Sequence, residues 1–517
     1  MPIGWDCVLE LDRDRRIVAG SQEDLAGAID RGADLRIGTE FFHDEHIDTS
    51  SDNHERIRFE VRGPCGPISG PLVRGMRRIS MRCRLAARSG MVVAVVLAGI
   101  VAAAAEEKAP WQVNPPIATV AKSLYMKHPR PRAAATVSVQ AVGPKLELRE
   151  VQALEIHSDV GDDIKARWSM DNGRTWSAFM AVQPSNIVKY GDVPVWEGES
   201  AAVYDPSSRL LVQYWLRQIE RGGLYHCFTY VRTSADYGRT WSAPKPLRYE
   251  PAAPFDPAQP LNPKYLNHNE GYPGNNILVR RDGTLVACLA HVNAPGDAKN
   301  DQRPWRMGSV LLLGKWNADR KEYDWRPGAR VEISPEHSAR GLMEPEVAEL
   351  ADGRLLVVWR GSTHGWDKTV AKLPGRKFFS VSQDGGQSLA PPAEWKYADG
   401  TSFYSPSSFH RMIRHSVTQK LYWLGNITMT PPSGNSPRFP LVIAEVDEGK
   451  AALIRSTVTA IDNRAAGQGP DVQFSNFSLY EDRETHALVL YLTTYGQEPD
   501  PAAWATAECY RYTVVLR

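Results

Sequence analysis

Acidic, amide and hydroxyl side chains recur in this sequence at the openings of apolar, strand-like stretches. Glu197 and Glu199 stand before one, and His268, Asn269 and Glu270 before another. Glu344 opens a third, Tyr404 and Ser405 a fourth, and Asn476 a fifth. If those stretches are the inner strands of one ring, their openings converge on a single pocket. A few polar groups in such a concavity suit a carbohydrate, whose hydroxyls need donors and acceptors at once. The plainer reading is a solvated channel that holds no ligand. Which of the two applies depends on the elements that carry these residues.

The chain has 517 residues, more than one ordinary core accommodates, so two or more units are expected. Its 61 Lys and Arg stand against 60 Asp and Glu, a formal net charge of +1. That balance argues against a nucleic-acid partner or a polybasic membrane contact. With 15 Trp, 40 Gly and 37 Pro, the composition points to many short strands joined by turns. A helical bundle would not carry so many residues that are costly inside helices.

Internal repeats give the organisation. SMDNGRTW at 169–176 returns as SADYGRTW at 234–241 and, more loosely, as SQDGGQSL at 382–389. In each, the carboxylate of Asp171, Asp236 or Asp384 can accept backbone N–H bonds across a turn. A Gly supplies positive φ, and the Trp of the first two copies folds back as an apolar plug. This S-x-D-x-G-x-[ST] form resembles the Asp-box (BNR) repeat of sialidases and related propellers, in which the Asp is structural.

A second pattern counts the blades. EPEVAELADGRLLVVWR at 344–360 reads as strand, tight Asp-Gly turn and strand. Comparable hairpins fall at 199–215, 274–290, 404–424 and 476–492. With the unit that ends in the first Asp box they make six, within the usual four to eight of a propeller. Six is also the sialidase number. The expected fold is therefore all-β, a six-bladed sialidase-like propeller over 106–517. The alternating CYRYTVVL at 509–516 would close the ring against the first blade and remove its exposed edges.

The same resemblance assigns roles. In sialidases a Glu opens a hairpin of the form found at 344–360, and the Arg that closes it grips the substrate carboxylate. Glu344 and Arg360 match in type and spacing, and SPRFPL at 436–441 is similar to the segment that delivers another such Arg, here Arg438. Guanidinium groups suit a carboxylate because they bind it bidentately and stay charged. The family's acid/base Asp precedes the first Asp box. HSDVGDDI at 157–164 is similar to that loop, so Asp159 or Asp162 would protonate the leaving oxygen. A turn-capping role accounts for either one equally. Further ligand contacts are expected from Glu199, Glu270, His268, Tyr404 and Asn476.

Two departures stand out. The R-I-P motif that carries the family's first arginine is missing, although Arg130 and Arg132 lie in that region within HPRPR. The position of the family's Tyr nucleophile is held by Asn476, and an amide cannot act as that nucleophile. An inverting mechanism with two carboxylates and a water remains compatible with the set. The expectation is a glycoside hydrolase acting on an acidic or polar glycan without the Tyr route. The alternative is a glycan-binding propeller without catalysis. No cofactor and no metal site is expected; the acidic loops lack EF-hand-like spacing.

The N-terminal region reads differently. Arg77, Arg78, Arg82, Arg84 and Arg88 precede an uncharged run at 89–105 that ends in four alanines. A basic segment, a short apolar run and small residues describe a secretory signal over 76–105. That run is short for a membrane span. Export to the periplasm or the extracellular space is expected, with no stable span after cleavage. Before it, 1–75 forms an extension of unassigned role, with a strand at 8–11, a helix capped by Ser21 and a linker at 63–75. After residue 105, Cys227, Cys288 and Cys509 lack metal-ligand spacing and read as buried thiols.

Overall fold

The computed structural model describes residues 5–10, 34–38, 56–62, 108–157, 160–183, 187–221, 224–292, 307–364 and 373–517. The chain divides into two compact units, Met1–Glu107 and Lys108–Arg517. In the first, strands Trp5–Glu10 and Asp34–Gly38 flank Arg56–Arg62 in an antiparallel sheet. The strand expected at 8–11 overlaps Trp5–Glu10. The helix expected from Ser21, the linker at 63–75 and the signal-like segment at 76–105 lie outside the described residues.

The second unit is a six-bladed β-propeller. Blade one is Ala134–Ala141, Leu148–His157, Val160–Ser169 and Met180–Gln183. Blade two is built on Val193–Asp205, Leu210–Arg221 and Leu224–Ser234, with short strands Ile187–Tyr190 and Lys245–Pro246 at its edges. Blade three is Gly271–Val279, Leu285–Val292, Met307–Asn317 and Glu322–Val331. Blade four is Met343–Glu349, Leu355–Arg360, Lys377–Ser382 and Ala393–Glu394. Blade five is Arg411–Arg414, Leu421–Asn426 and Leu441–Asp447, and the last of these also pairs with Ala452–Leu453 and Thr459–Asp462. Blade six is Ser478–Glu481, Leu488–Thr493 and Cys509–Leu516 with Ala118–Met126.

Ring closure differs from the sequence expectation in one respect. Cys509–Leu516 pairs with Ala118–Met126, from Leu516 opposite Ala118 through Tyr510 opposite Leu124. The N-terminal strand of the propeller is therefore the outer strand of blade six, not part of blade one. Joining both ends of the chain in one sheet has the same physical effect, since it gives the terminal strands partners.

Second strands are apolar because neighbouring blades cover both of their faces. Every residue of Leu355–Arg360, Leu421–Asn426 and Leu488–Thr493 is buried. The core lies as wedges between blades. One, around Trp395, Trp423 and Leu356, joins blades four and five, and another, around Leu424, Leu441 and Leu490, joins five and six. Tight turns keep the hairpins short. Gly283 and Gly353 sit at φ of 78° and 90°, where an L side chain is strained.

The three repeated turns share one hydrogen-bond pattern. Asp171 Oδ1 accepts from the Ser169 hydroxyl at 2.8 Å and the Thr175 amide at 2.8 Å, and its Oδ2 accepts from the Thr175 hydroxyl at 2.6 Å. Asp236 does the same with Ser234 and Thr240, and Asp384 with Ser382 and Ser388. Their carboxylates are committed to the turn. Cys227, Cys288 and Cys509 are buried and free, and burial pushes the thiols of Cys288 and Cys509 up to about 12. No helix among the described residues is long and apolar enough to cross a membrane.

Candidate functional site

Three strand ends of blade four meet at one end of the sheet. Met343 pairs with Arg360, and Arg360 with Lys377. Between Met343 and Glu346 the register slips, and Glu344 takes φ of 45°. A β-bulge re-aims a side chain, and positive φ in a Glu is uncommon enough to call for a reason. Here the bulge turns Glu344 toward Arg360, whose Nη1 donates to Glu344 Oε1. Asn476, the equivalent position of blade six, has φ of 58°.

Blade five supplies the next members. Arg360 Nη2 donates to Asn435 Oδ1 at 3.1 Å, and Arg438 Nη1 donates to Gln473 Oε1 at 2.9 Å. Arg438 Nη2 reaches the Ser407 carbonyl at 3.3 Å, while the Ser407 hydroxyl donates to the Gly361 carbonyl at 2.6 Å. Lys377 Nζ donates to the carbonyl of Ser408. Ser407 and Ser408 therefore tie Arg438 and Lys377 to the strand end at Gly361, next to Arg360. The segment with Arg438 is fixed by Asn426, a fully buried amide. Its Nδ2 donates to the carbonyls of Arg438, Pro440 and Phe474 at 3.0–3.1 Å.

Arg340 completes the cluster. Its Nε donates to the Ser362 hydroxyl at 3.0 Å, close to the end of the strand that carries Arg360. Burial pushes its guanidinium down to about 10; the charge of Arg360 adds to this, Glu344 opposes it and Arg438 reinforces it. Four basic side chains thus gather here: Arg360 against Glu344, Arg340 and Lys377 within reach of its charge, and Arg438 within reach of theirs. Nearby, Arg411 pairs with Glu346 at 3.2 Å and Arg376 with Glu394 at 3.0 Å. Within the cluster, Arg360 Nε and Glu344 Oε2 are buried atoms without a hydrogen-bond partner. Such atoms call for an explanation, and an anionic, hydroxyl-bearing ligand offers acceptors and donors for both.

Of the residues named from sequence, Glu344, Arg360 and Arg438 come together. Tyr404 lies beside this region, with the Arg376 guanidinium 4.2 Å from its ring centre. Others are engaged elsewhere. Glu199 is held by both terminal nitrogens of Arg149, at 2.9 and 3.0 Å, and by Arg232 at 3.0 Å, so it joins blade one to blade two. Glu270 is buried against His226 Nδ1 at 2.7 Å. His268 is exposed, 3.5 Å from Glu250. Asp159 lies outside the described residues. Asp162 stands opposite Leu154 in blade one, and its side chain also falls outside them.

The polar strand openings do not form one pocket. A channel cavity of about 970 Å³ is lined by Glu199, Asn275, Arg411 and Asn476 among others, but not by Glu344, Arg360 or Arg438. Asn275 connects the two, since its Nδ2 donates to the carbonyls of Glu344 at 3.2 Å and His410 at 2.9 Å. Sequence reasoning missed Arg340, Lys377, Asn435 and Gln473. For Lys377 a signal existed: it opens the strand that leads to the third repeated turn, and so sits at the same end of blade four as Glu344 and Arg360. Among the described residues no group of three His, Cys, Asp or Glu side chains is placed to hold a metal ion.

No protein-family model matches the chain, and no curated protein does. Solved structures are similar to it. One is a protein of unknown function from Dyadobacter fermentans DSM 18053, at 14% identity, 77% of this chain, 99% of that one and a TM-score of 0.50. Another is the intramolecular trans-sialidase from Ruminococcus gnavus, at 10% identity, coverage of 76% and 94%, and a TM-score of 0.44. A third is the alpha-L-arabinanase of Penicillium chrysogenum, at 14% identity, coverage of 78% and 99%, and a TM-score of 0.44. At such identities likeness speaks to fold alone, and the class defined here is the six-bladed propeller.

Proposed function

We propose that this propeller recognises an acidic glycan, with the sugar carboxylate held by Arg360, Arg438 and Arg340. The observation that carries this reading is the basic cluster: Arg340, Arg360, Lys377 and Arg438, buried or half-buried, gathered near the carboxylate of Glu344. Burying basic side chains beside one another is costly, and a bound anion reduces that cost. Guanidinium forks match a carboxylate geometrically as well as electrostatically. Glycan arrays probed with the full chain test the reading. Preference for uronic or sialic acid termini supports it, and binding confined to neutral glycans contradicts it.

A second reading, glycoside hydrolysis, is favoured by Glu344 itself. Its side chain is 30% exposed, and its buried Oε2 has no hydrogen-bond partner, so the carboxylate keeps one acceptor unused. Asp159 or Asp162 would be the second carboxylate, and Asn476 at the family's Tyr position points away from a Tyr nucleophile. A screen of aryl sialosides and aryl uronides decides. Turnover that disappears in Glu344→Gln supports hydrolysis, whereas absence of turnover alongside acidic-glycan binding leaves a binding propeller. Export through 76–105 belongs to the same proposal, and an N-terminus of the mature protein near residue 106 would support it.

A further inference from the structure

Of the four cations, Lys377 alone is wholly buried. An ammonium has three N–H donors, and the acceptor Lys377 meets is the Ser408 carbonyl. It forms no ion pair with a carboxylate among the described residues. From its own blade the charges of Glu344 and Arg360 act on it, and from blade five that of Arg438, while Lys377 in turn acts on His410. Arg411 is neutralised by Glu346 and Arg376, its chain neighbour, by Glu394. His410, also fully buried, is held well below its usual range by burial and then by Lys377 itself, so it brings no compensating charge. Burial pushes the Lys377 ammonium down to about 7; the charge of Glu344 opposes this, and those of Arg360 and Arg438 add to it.

Resting on the acidic-glycan reading, we infer that Lys377 is uncharged in the empty site above neutral pH and takes a proton from solvent when an anion seats among the guanidinium groups. The bond formed is N–H at Nζ, and the charge gained offsets that of the ligand. An anion-bound form that holds one more proton than the empty form binds more weakly as pH rises, by up to about tenfold per pH unit. Lys377 thereby sets the pH range over which the site accepts acidic sugars. It is a positioning residue, acting through the charge it presents behind Arg360 and Arg438.

Calorimetric titration of the full chain tests this, with 3′-sialyllactose, glucuronic acid and sulfate as probes, each in two buffers of different ionisation enthalpy. Uptake near zero at about pH 6, approaching one proton per bound anion at about pH 8.5, is the expected result. In Lys377→Met the uptake disappears and the affinity loses its pH dependence in that window. Binding without proton uptake at about pH 8.5, or uptake that persists in Lys377→Met, overturns the inference and leaves the acidic-glycan reading in place. Failure of all three probes to bind overturns both.

Discussion

Glu344 and Arg360 act on each other before they act on any ligand. Arg360 donates to one oxygen of Glu344 and leaves the other, a buried atom, without a partner, so the carboxylate is oriented and keeps one acceptor unused. Replacing Glu344 by Gln keeps an acceptor for Arg360 and removes a negative charge from the cluster. Affinity for an acidic glycan should then hold or rise, while any turnover is lost; a binding isotherm and a rate assay on the same preparation check both. Truncation of Arg360 or Arg438 to Ala has the opposite effect. Each should weaken acidic-glycan binding about 10- to 100-fold, the range for a lost charge-assisted hydrogen bond. Glu344 and Arg360 were legible because a tight turn fixes the pairing of two adjacent strands, so sixteen residues of separation still mean contact. Arg340 was not, because its place depends on a loop before the first strand, and Lys377 left only a weaker signal, because its place depends on the pairing of a third.

At the scale of the element, the segment 436–441 holds the most exacting geometry. Asn426 in blade five donates to three buried carbonyls, of which that of Arg438 also accepts from the Phe474 amide at 3.0 Å. Asn426→Leu should cost about 2–3 kcal/mol through those carbonyls, read as a lower denaturant midpoint, and should also loosen Arg438 and weaken acidic-ligand binding. The repeated turns carry a separate, pH-dependent contribution. The Thr175 hydroxyl and amide hold the Asp171 carboxyl down to about 2, and the Ser388 hydroxyl and amide do the same for Asp384. An unfolded Asp titrates near about 3.9. The stabilisation is therefore complete above about pH 4 and lost as pH falls through about 2. Asp171→Asn combined with Asp384→Asn should flatten the fall in melting temperature across that window. The turns were readable from sequence because their hydrogen bonds are local, whereas the bonds of Asn426 span segments 12 to 48 residues away.

For the whole molecule, stability rests on closing the ring. Blade six takes its outer strand from Ala118–Met126 and the adjacent one from Cys509–Leu516, so neither end of the propeller can be removed without opening a sheet edge. A chain ending at Glu508 should lose cooperative unfolding and self-associate through the freed edge of Leu488–Thr493, visible by size-exclusion chromatography. Six blades could be counted from hairpins, since each hairpin is local. The partner of the closing strand could not be read. Ala118–Met126 is largely exposed, lacks a strict alternation, and meets a segment near the other end of the chain.

The central claim is that the arginine cluster selects a negative charge on a sugar. Its most direct test is a paired titration of the full chain with one acidic glycan and with the same glycan after reduction of its carboxylate to an alcohol. The acidic form should bind at least about tenfold more tightly, and the difference should vanish when Arg360 and Arg438 are both replaced by Ala. Equal affinity for the two forms, or a preference that survives the double replacement, would contradict the account.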